Sequence, residues 1–165
     1  MANQILAGLN YIFGSPKFLT GLSGSGEASL AGPAEARGWG DNISWLTLDA
    51  GFKKAKEENL PMMVIIHRMT CGACVYQKKW FSRSKTIQSL SKNLVMVNLE
   101  IHEVPKSPEF NPDGFYVPRI LFFSPQGKLL TDVNVKYNPQ YKFNYPGEIY
   151  LTGNMKAVVD EFRRR

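Results

Sequence analysis

Two apolar runs set the terms for any fold this chain can adopt. Met62-Met63-Val64-Ile65-Ile66 leads into His67, and Leu94-Val95-Met96-Val97-Asn98-Leu99 follows after a segment with helical character. Neither run alternates between apolar and polar residues, as a strand with one wet face does. Such runs belong to strands buried on both faces, which need covering layers above and below them. The flanking segments supply those layers. In Thr47–Asn59, Leu48, Phe52 and Ala55 fall at helical spacing, Lys53, Lys54, Glu57 and Glu58 take the other side, and Pro61 follows as a stop. Val75 to Phe81 reads as a second helix, and Ser84 as the N-cap of a shorter one reaching Lys92. A long loop over 100–118 carries Pro105, Pro108, Pro112 and Pro118. Arg119–Phe123 and Lys128–Val133 flank Ser124-Pro125-Gln126-Gly127, a type I turn sequence, and are predicted to form an antiparallel hairpin. Glu148–Phe162 closes the chain as a helix with Ile149, Met155, Val158, Val159 and Phe162 apolar. The order helix, strand, helix, strand, hairpin, helix contains a βαβ crossover and no internal repeat. It predicts an α/β fold, a central mixed β-sheet with helices on both faces.

The chain has 165 residues, 44% of them hydrophobic, which suits one globular domain. That domain is placed at 38–165, with order beginning at the Trp39 and Trp45 pair. Residues 1–37 are set aside as a leader or linker, because 21–38 are rich in Gly, Ser and Ala. Ile5 to Leu22 is apolar but broken by Gly14, Pro16 and Lys17, and Ser29-Leu30-Ala31 has the small residues of a cleavage site. A disordered leader, a degenerate secretory signal and an expression remnant all fit. No run of 18 apolar residues exists, so no membrane-spanning helix is expected. The net charge is +6. Residues 1–36 hold Lys17, Glu27 and Glu35, which leaves +7 on 37–165, part of it near the cysteines as Arg68, Lys78, Lys79, Arg83 and Lys85. No nucleic-acid-binding motif accompanies that charge, so neither nucleic acid nor membrane is an expected partner, and a monomer is the expected state.

Only two cysteines are present, Cys71 and Cys74, too few to staple a scaffold. Their position is informative. Cys71-Gly72-Ala73-Cys74 lies where the first apolar run ends and a helix begins. There the first sulfur meets unpaired backbone N–H groups and the positive end of the helix dipole, and both favour thiolate over thiol. Cys74 sits one turn on, placed to resolve a mixed disulfide, while the small Gly72 and Ala73 leave Cys71 open to a large substrate. A zinc half-site with His67 and His102, an inert pair and a buried structural disulfide remain alternatives.

Met63–His67 leading into Cys71-Gly72-Ala73-Cys74 resembles the thioredoxin fold. Other segments narrow the likeness: Gly38-Trp39-Gly40-Asp41 before Ile43-Ser44-Trp45, Val95–Glu100, and Pro112-Asp113-Gly114 before Tyr116–Phe122. Over about 38–162 the chain is similar to the small endoplasmic-reticulum family of thioredoxin domain-containing protein twelve and the anterior gradient proteins. The second cysteine favours the dithiol branch. The resemblance implies a protein thiol-disulfide oxidoreductase of the secretory pathway with no cofactor beyond its dithiol. Cysteine-containing proteins would be its substrates and glutathione a small-thiol partner. It further implies that Val117-Pro118 is cis and faces Cys71, so that Gly72, Ala73, Val117 and Pro118 form the substrate-binding set around catalytic Cys71 and Cys74. A client-binding or chaperone module without catalysis is the rival function.

Three positions depart from the thioredoxin pattern. Ile65 stands where thioredoxin keeps a buried acid, Thr70 where it keeps Trp, and Arg163-Arg164-Arg165 carries no retention tetrapeptide. Glu100, His102 and His67 are candidates for the missing proton transfer, and Arg68 and Arg119 for biasing the thiolate. Phe110, Phe115 and Tyr116 form either an apolar substrate groove or a cover for the sheet edge.

Overall fold

The computed structural model describes residues 34–164. The expectations for 1–33 and for Arg165 lie outside the described residues. Four strands, β1 (Trp45–Leu46), β2 (Met62–His67), β3 (Val95–Glu100) and β4 (Arg119–Phe123), alternate with α1 (Leu48–Glu58), α2 (Gly72–Phe81), α3 (Lys85–Ser91) and α4 (Glu148–Arg163). The sheet order is β1-β3-β2-β4. β3 runs parallel to β1 and β2, and β4 runs antiparallel to β2, so the sheet is mixed.

The apolar runs became the two central strands, and every residue of β2 is buried. Strand alternation then sends Met63, Ile65, Met96, Ile120 and Phe122 to one face, where Phe81, Ile87, Leu151 and Met155 meet them from α2, α3 and α4. Met62, Val64, Ile66, Val95, Val97 and Leu121 point to the other, against Phe52 and Ala55 of α1. Helices therefore cover both faces. Thr47 caps α1 by accepting from the Ala50 N–H, and Asn59 ends it in the left-handed region at φ 52 before Pro61 is reached. Ser84 caps α3 as expected, accepting from the Ile87 N–H. No helix among the described residues is long and apolar enough to cross a membrane.

Three expectations need correction. β1 was not expected, because two residues are too few to show a period; Trp45 and Leu46 are strand only through pairing with Met96 and Val97. The hairpin closes its turn with Gly127 N–H on Ser124 O (2.9 Å), but its second arm shrinks to one bridge, Phe123 to Leu129. Beyond Leu130 the chain turns away, and Phe143 O takes the Ile120 N–H (2.9 Å) instead. Lastly, Ala34–Arg37, assigned to the leader, lie on the domain: the Ala34 N–H donates to Trp45 O (2.9 Å), and Ala34 and Ala36 pack on the core around Trp39.

Gly51 marks where α1 crosses the sheet. A Cβ there would stand 2.7 Å from Val97 Cγ2 and 3.0 Å from Met62 Sδ. Val97 is fully buried and β-branched, so it has little room to turn aside. Gly51→Ala gains up to about 1 kcal/mol of helix propensity yet is expected to lower stability by about 1–2 kcal/mol net through overpacking. Urea unfolding of the two proteins checks the sign.

Candidate active site

β2 ends at His67 between β3 and β4, with Glu100 opposite His67 and Arg119 opposite Ile66. That register delivers three chain segments to one sheet edge: the turn Arg68–Thr70 with Cys71, the end of β3, and the Val117–Pro118 entry to β4. Cys71 is the N-cap of α2 (φ −78, ψ 122). Its N–H donates to Arg68 O (3.1 Å), and its Sγ lies 3.9 Å from Val117 O. The Val117–Pro118 bond is cis, the isomer the resemblance implied.

The two sulfurs have opposite surroundings. Both are free thiols, Cys71 partly exposed and Cys74 fully buried. Burial pushes the Cys71 thiol up, but hydrogen bonds from the Cys74 and Ala73 N–H groups and the Cys74 thiol, with the Arg68 charge, outweigh it and hold Cys71 below its ordinary value. For Cys74 burial wins and pushes the thiol up to about 11, although the Arg68 N–H reaches its Sγ at 3.5 Å. Ile65, at the position of the thioredoxin acid, is fully buried in the core.

Charged groups around the turn are tied to one another. The Glu100 carboxylate accepts from the Met69 N–H (2.6 Å) and the Ile101 N–H (3.2 Å). Burial pushes its carboxyl up, but those two bonds and nearby positive charge hold it below the usual range. Glu103 accepts from the Glu100 N–H (2.8 Å) and takes both prongs of the Arg37 guanidinium. Lys78 reaches back along α2, its Nζ 3.3 Å from Met69 Sδ and 5.6 Å from the centre of the Trp39 ring. His67 is fully buried beside Trp39, its Nε2 3.4 Å from Asn98 Oδ1. Burial, with the Lys78 charge adding to it, depresses the His67 pKa to about 4.

Gly72 and Ala73 are exposed beside Cys71, and a Cβ on Gly72 would meet nothing within 4 Å. Val117 is half-buried and Pro118 buried. Glu100 is occupied with backbone N–H groups, and His102 is exposed whereas His67 is buried. No three His, Cys, Asp or Glu side chains among the described residues are arranged to hold a metal. Arg68 is exposed and acts on Cys71 by its charge. Arg119 is buried and bonds to Tyr116 O and to Asn111 Oδ1 (2.8 Å), so it braces the proline loop. Of the three aromatics, Phe110 packs on Phe123 in the core (5.3 Å) and covers the sheet. Tyr116 donates to Asp113 Oδ2 (2.7 Å), and Phe115 is 80% exposed. Arg37, Glu103, Met69 and Lys78 were not singled out as site residues. Lys78 stood out in the sequence only as part of the positive charge near the cysteines, and Glu103, three residues after Glu100 as in a capping box, also carried a sequence signal.

A family model described as "Thioredoxin-like" matches residues 43–125, which hold both cysteines and the cis proline. Anterior gradient protein 2-B of Xenopus laevis is 39% identical over 127 residues, 75% of this chain and 76% of that protein. The chain belongs to the thioredoxin-like family. Within it the anterior gradient proteins are relatives across most of the domain. The human anterior gradient protein 2 homolog is 36% identical over 126 residues, 75% of this chain and 71% of its own length. A solved structure titled DsbH Oxidoreductase superposes with a TM-score of 0.51 at 14% identity, covering 84% of this chain and 95% of that one; the likeness is one of fold. The thioredoxin-like match begins at Ile43, so Arg37 lies outside it.

The two sulfurs are expected to separate on alkylation. Near neutral pH, iodoacetamide should modify Cys71 and spare Cys74, and peptide mass spectrometry reads the ratio. Equal labelling would contradict the lowered Cys71 and raised Cys74 thiols. His67 makes a second expectation. The unfolded chain binds its proton near 6.5 and the folded chain only near 4, so stability is full above about pH 6.5 and falls as pH drops towards 4. Glu103, which its Arg37 bond holds near 2, adds a further loss from about pH 4.5 downward. Urea midpoints across that range should decline in wild type, and His67→Asn should flatten the upper part of the decline.

Proposed function

We propose that this chain is a thiol-disulfide oxidoreductase that exchanges disulfides with cysteine-containing proteins through Cys71 and Cys74. The observation that carries the proposal is the split between the sulfurs: an accessible thiol favoured as thiolate at the N-terminus of α2, and a buried one a turn behind it. In the reducing direction the Cys71 thiolate attacks a substrate disulfide. A Cys71–substrate bond forms, and the departing sulfur takes a proton from solvent. Cys74 then loses its proton and attacks Cys71 Sγ, which closes the Cys71–Cys74 disulfide and frees the second substrate thiol. The substrate gains two electrons and the dithiol loses two. Run backwards, the same steps oxidise a substrate dithiol. Val117 and Pro118 border Cys71 and offer an extended substrate a backbone edge, while Gly72 and Ala73 leave the approach open. Glutathione is the proposed small thiol that resets the pair, and the secretory pathway the proposed compartment, on the family resemblance.

Met69, Val75, Tyr76 and Phe115 are 50%, 42%, 63% and 80% exposed close in sequence to Cys71 or Val117. That apolar rim favours a second activity, holding an unfolded client without chemistry. One experiment separates the two. With glutathione as reductant and insulin as disulfide substrate, Cys71→Ser is expected to abolish reduction, and Cys74→Ser to accumulate a mixed disulfide on Cys71. Retained reduction by Cys71→Ser would sink the catalytic proposal, and retained suppression of client aggregation would support the holding one.

A further inference from the structure

We propose that Arg37, acting through Glu103 and Glu100, is a positioning residue for the second sulfur: its ion pair sets the turn whose Arg68 N–H is aimed at Cys74 Sγ. The inference rests on the dithiol mechanism above. Each link is a direct contact. Arg37 Nη2 donates to Glu103 Oε1 (2.8 Å) and Nη1 to Glu103 Oε2. The same Oε2 accepts from the Glu100 N–H (2.8 Å), which clamps the last residue of β3. The Glu100 carboxylate accepts from the Met69 N–H (2.6 Å). Met69 follows Arg68, whose N–H donates to Cys74 Sγ (3.5 Å) and whose carbonyl accepts from the Cys71 N–H (3.1 Å). The turn is thus held from outside at Met69, and the backbone groups of Arg68 meet the cysteines.

Arg37 is itself held. The Ala34 N–H donates to Trp45 O (2.9 Å), Asn98 Nδ2 to Glu35 O (3.0 Å), and the Trp39 N–H to Ala36 O (2.8 Å). The segment is a strap laid across the ends of β1 and β3. Its ion pair is a two-pronged guanidinium–carboxylate contact with side chains only 24% and 33% exposed, the geometry in which such pairs fix a position.

The consequence falls on one step. The N–H groups favouring the Cys71 thiolate belong to Ala73 and Cys74, inside α2, and the strapped turn meets Cys71 only through the Arg68 carbonyl on its N–H and the Arg68 charge, neither of which is a hydrogen bond to its Sγ. The backbone N–H reaching Cys74 belongs to Arg68, in the strapped turn. Loosening the strap therefore leaves attack by Cys71 intact and slows resolution by Cys74, which has to form a thiolate in a buried place.

The test uses the full, reduced chain and the aromatic disulfide dithiobis-nitrobenzoate in stopped flow. The Cys71 thiolate displaces one thionitrobenzoate and forms a mixed disulfide. Cys74, after giving its proton to solvent, attacks Cys71 Sγ and displaces the second; the probe takes two electrons from the dithiol. Wild type is expected to release two equivalents in two phases. Arg37→Ala should keep the first phase within about twofold and slow the second by about three- to tenfold, the worth of one hydrogen bond. Arg37→Lys, which keeps the charge without the fork, should recover part of that rate. Glu103→Ala should match Arg37→Ala, and the double variant should be no slower than either. A second phase unchanged in both single variants, or both phases slowed together, overturns the inference while leaving the dithiol mechanism standing. A wild-type chain releasing only one equivalent overturns both. Should Arg37→Ala fail to fold, Glu103→Gln reads the same step, and an unchanged second phase there overturns the positioning role.

Discussion

The arrangement of this protein depends on the double pairing of β2. The strand is hydrogen-bonded to β3 on one side and β4 on the other, and both its faces are sealed. A strand so enclosed has its backbone and side chains fully committed, and its C-terminal end becomes a fixed point. The turn that leaves it must start α2 at that point. The ends of β3 and the loop entering β4 arrive there by register alone. Cys71, Glu100 and Pro118 thus converge from positions far apart in the chain without any bond between them being needed to assemble the site.

From that fixed point one helix gives two like groups unlike properties. Cys71 stands at the N-terminus of α2, where amide N–H groups have no partner in the helix, and these outweigh its partial burial. Cys74 is turned under the helix, where burial dominates. Ile65, at the position of the thioredoxin acid, is an apolar residue buried in the core, so that position supplies no carboxylate. The acids at this sheet edge lie on β3 and just after it, and they hold backbone N–H groups rather than stand free to move protons.

Much of this was legible in the chain because it is local or periodic. The unbroken runs announced central strands, since burial on both faces abolishes alternation. Ser84 announced a helix start, since a cap needs only its own next turn. The spacing of Cys71 and Cys74 implied an accessible sulfur at a helix start and a resolving one a turn further on. What escaped depends on partners remote in sequence. Trp45–Leu46 is a strand only because Met96–Val97 lie alongside. Lys128–Val133 loses most of its pairing because Phe143 competes for the edge of β4. Phe110 was open between groove and cover, and Arg119 was a candidate for biasing the thiolate; the first covers the sheet and the second is a buried brace, because the proline loop folds back over the sheet.

The sequence by itself determined the layers of the domain, the two central strands and the place of its dithiol, because each follows from short-range periodicity, capping and the chemistry of neighbouring residues. Only the tertiary structure decided which groups surround that dithiol. Ala34–Arg37 carry the composition of a leader and no period, yet they lie against β1 and β3, and Arg37 meets Glu103 across the fold. Such an ion pair leaves no trace in either residue's local sequence. It exists because the sheet register carries Glu100 and Glu103 to the edge where the strap passes, and register is a property of paired strands rather than of any one of them.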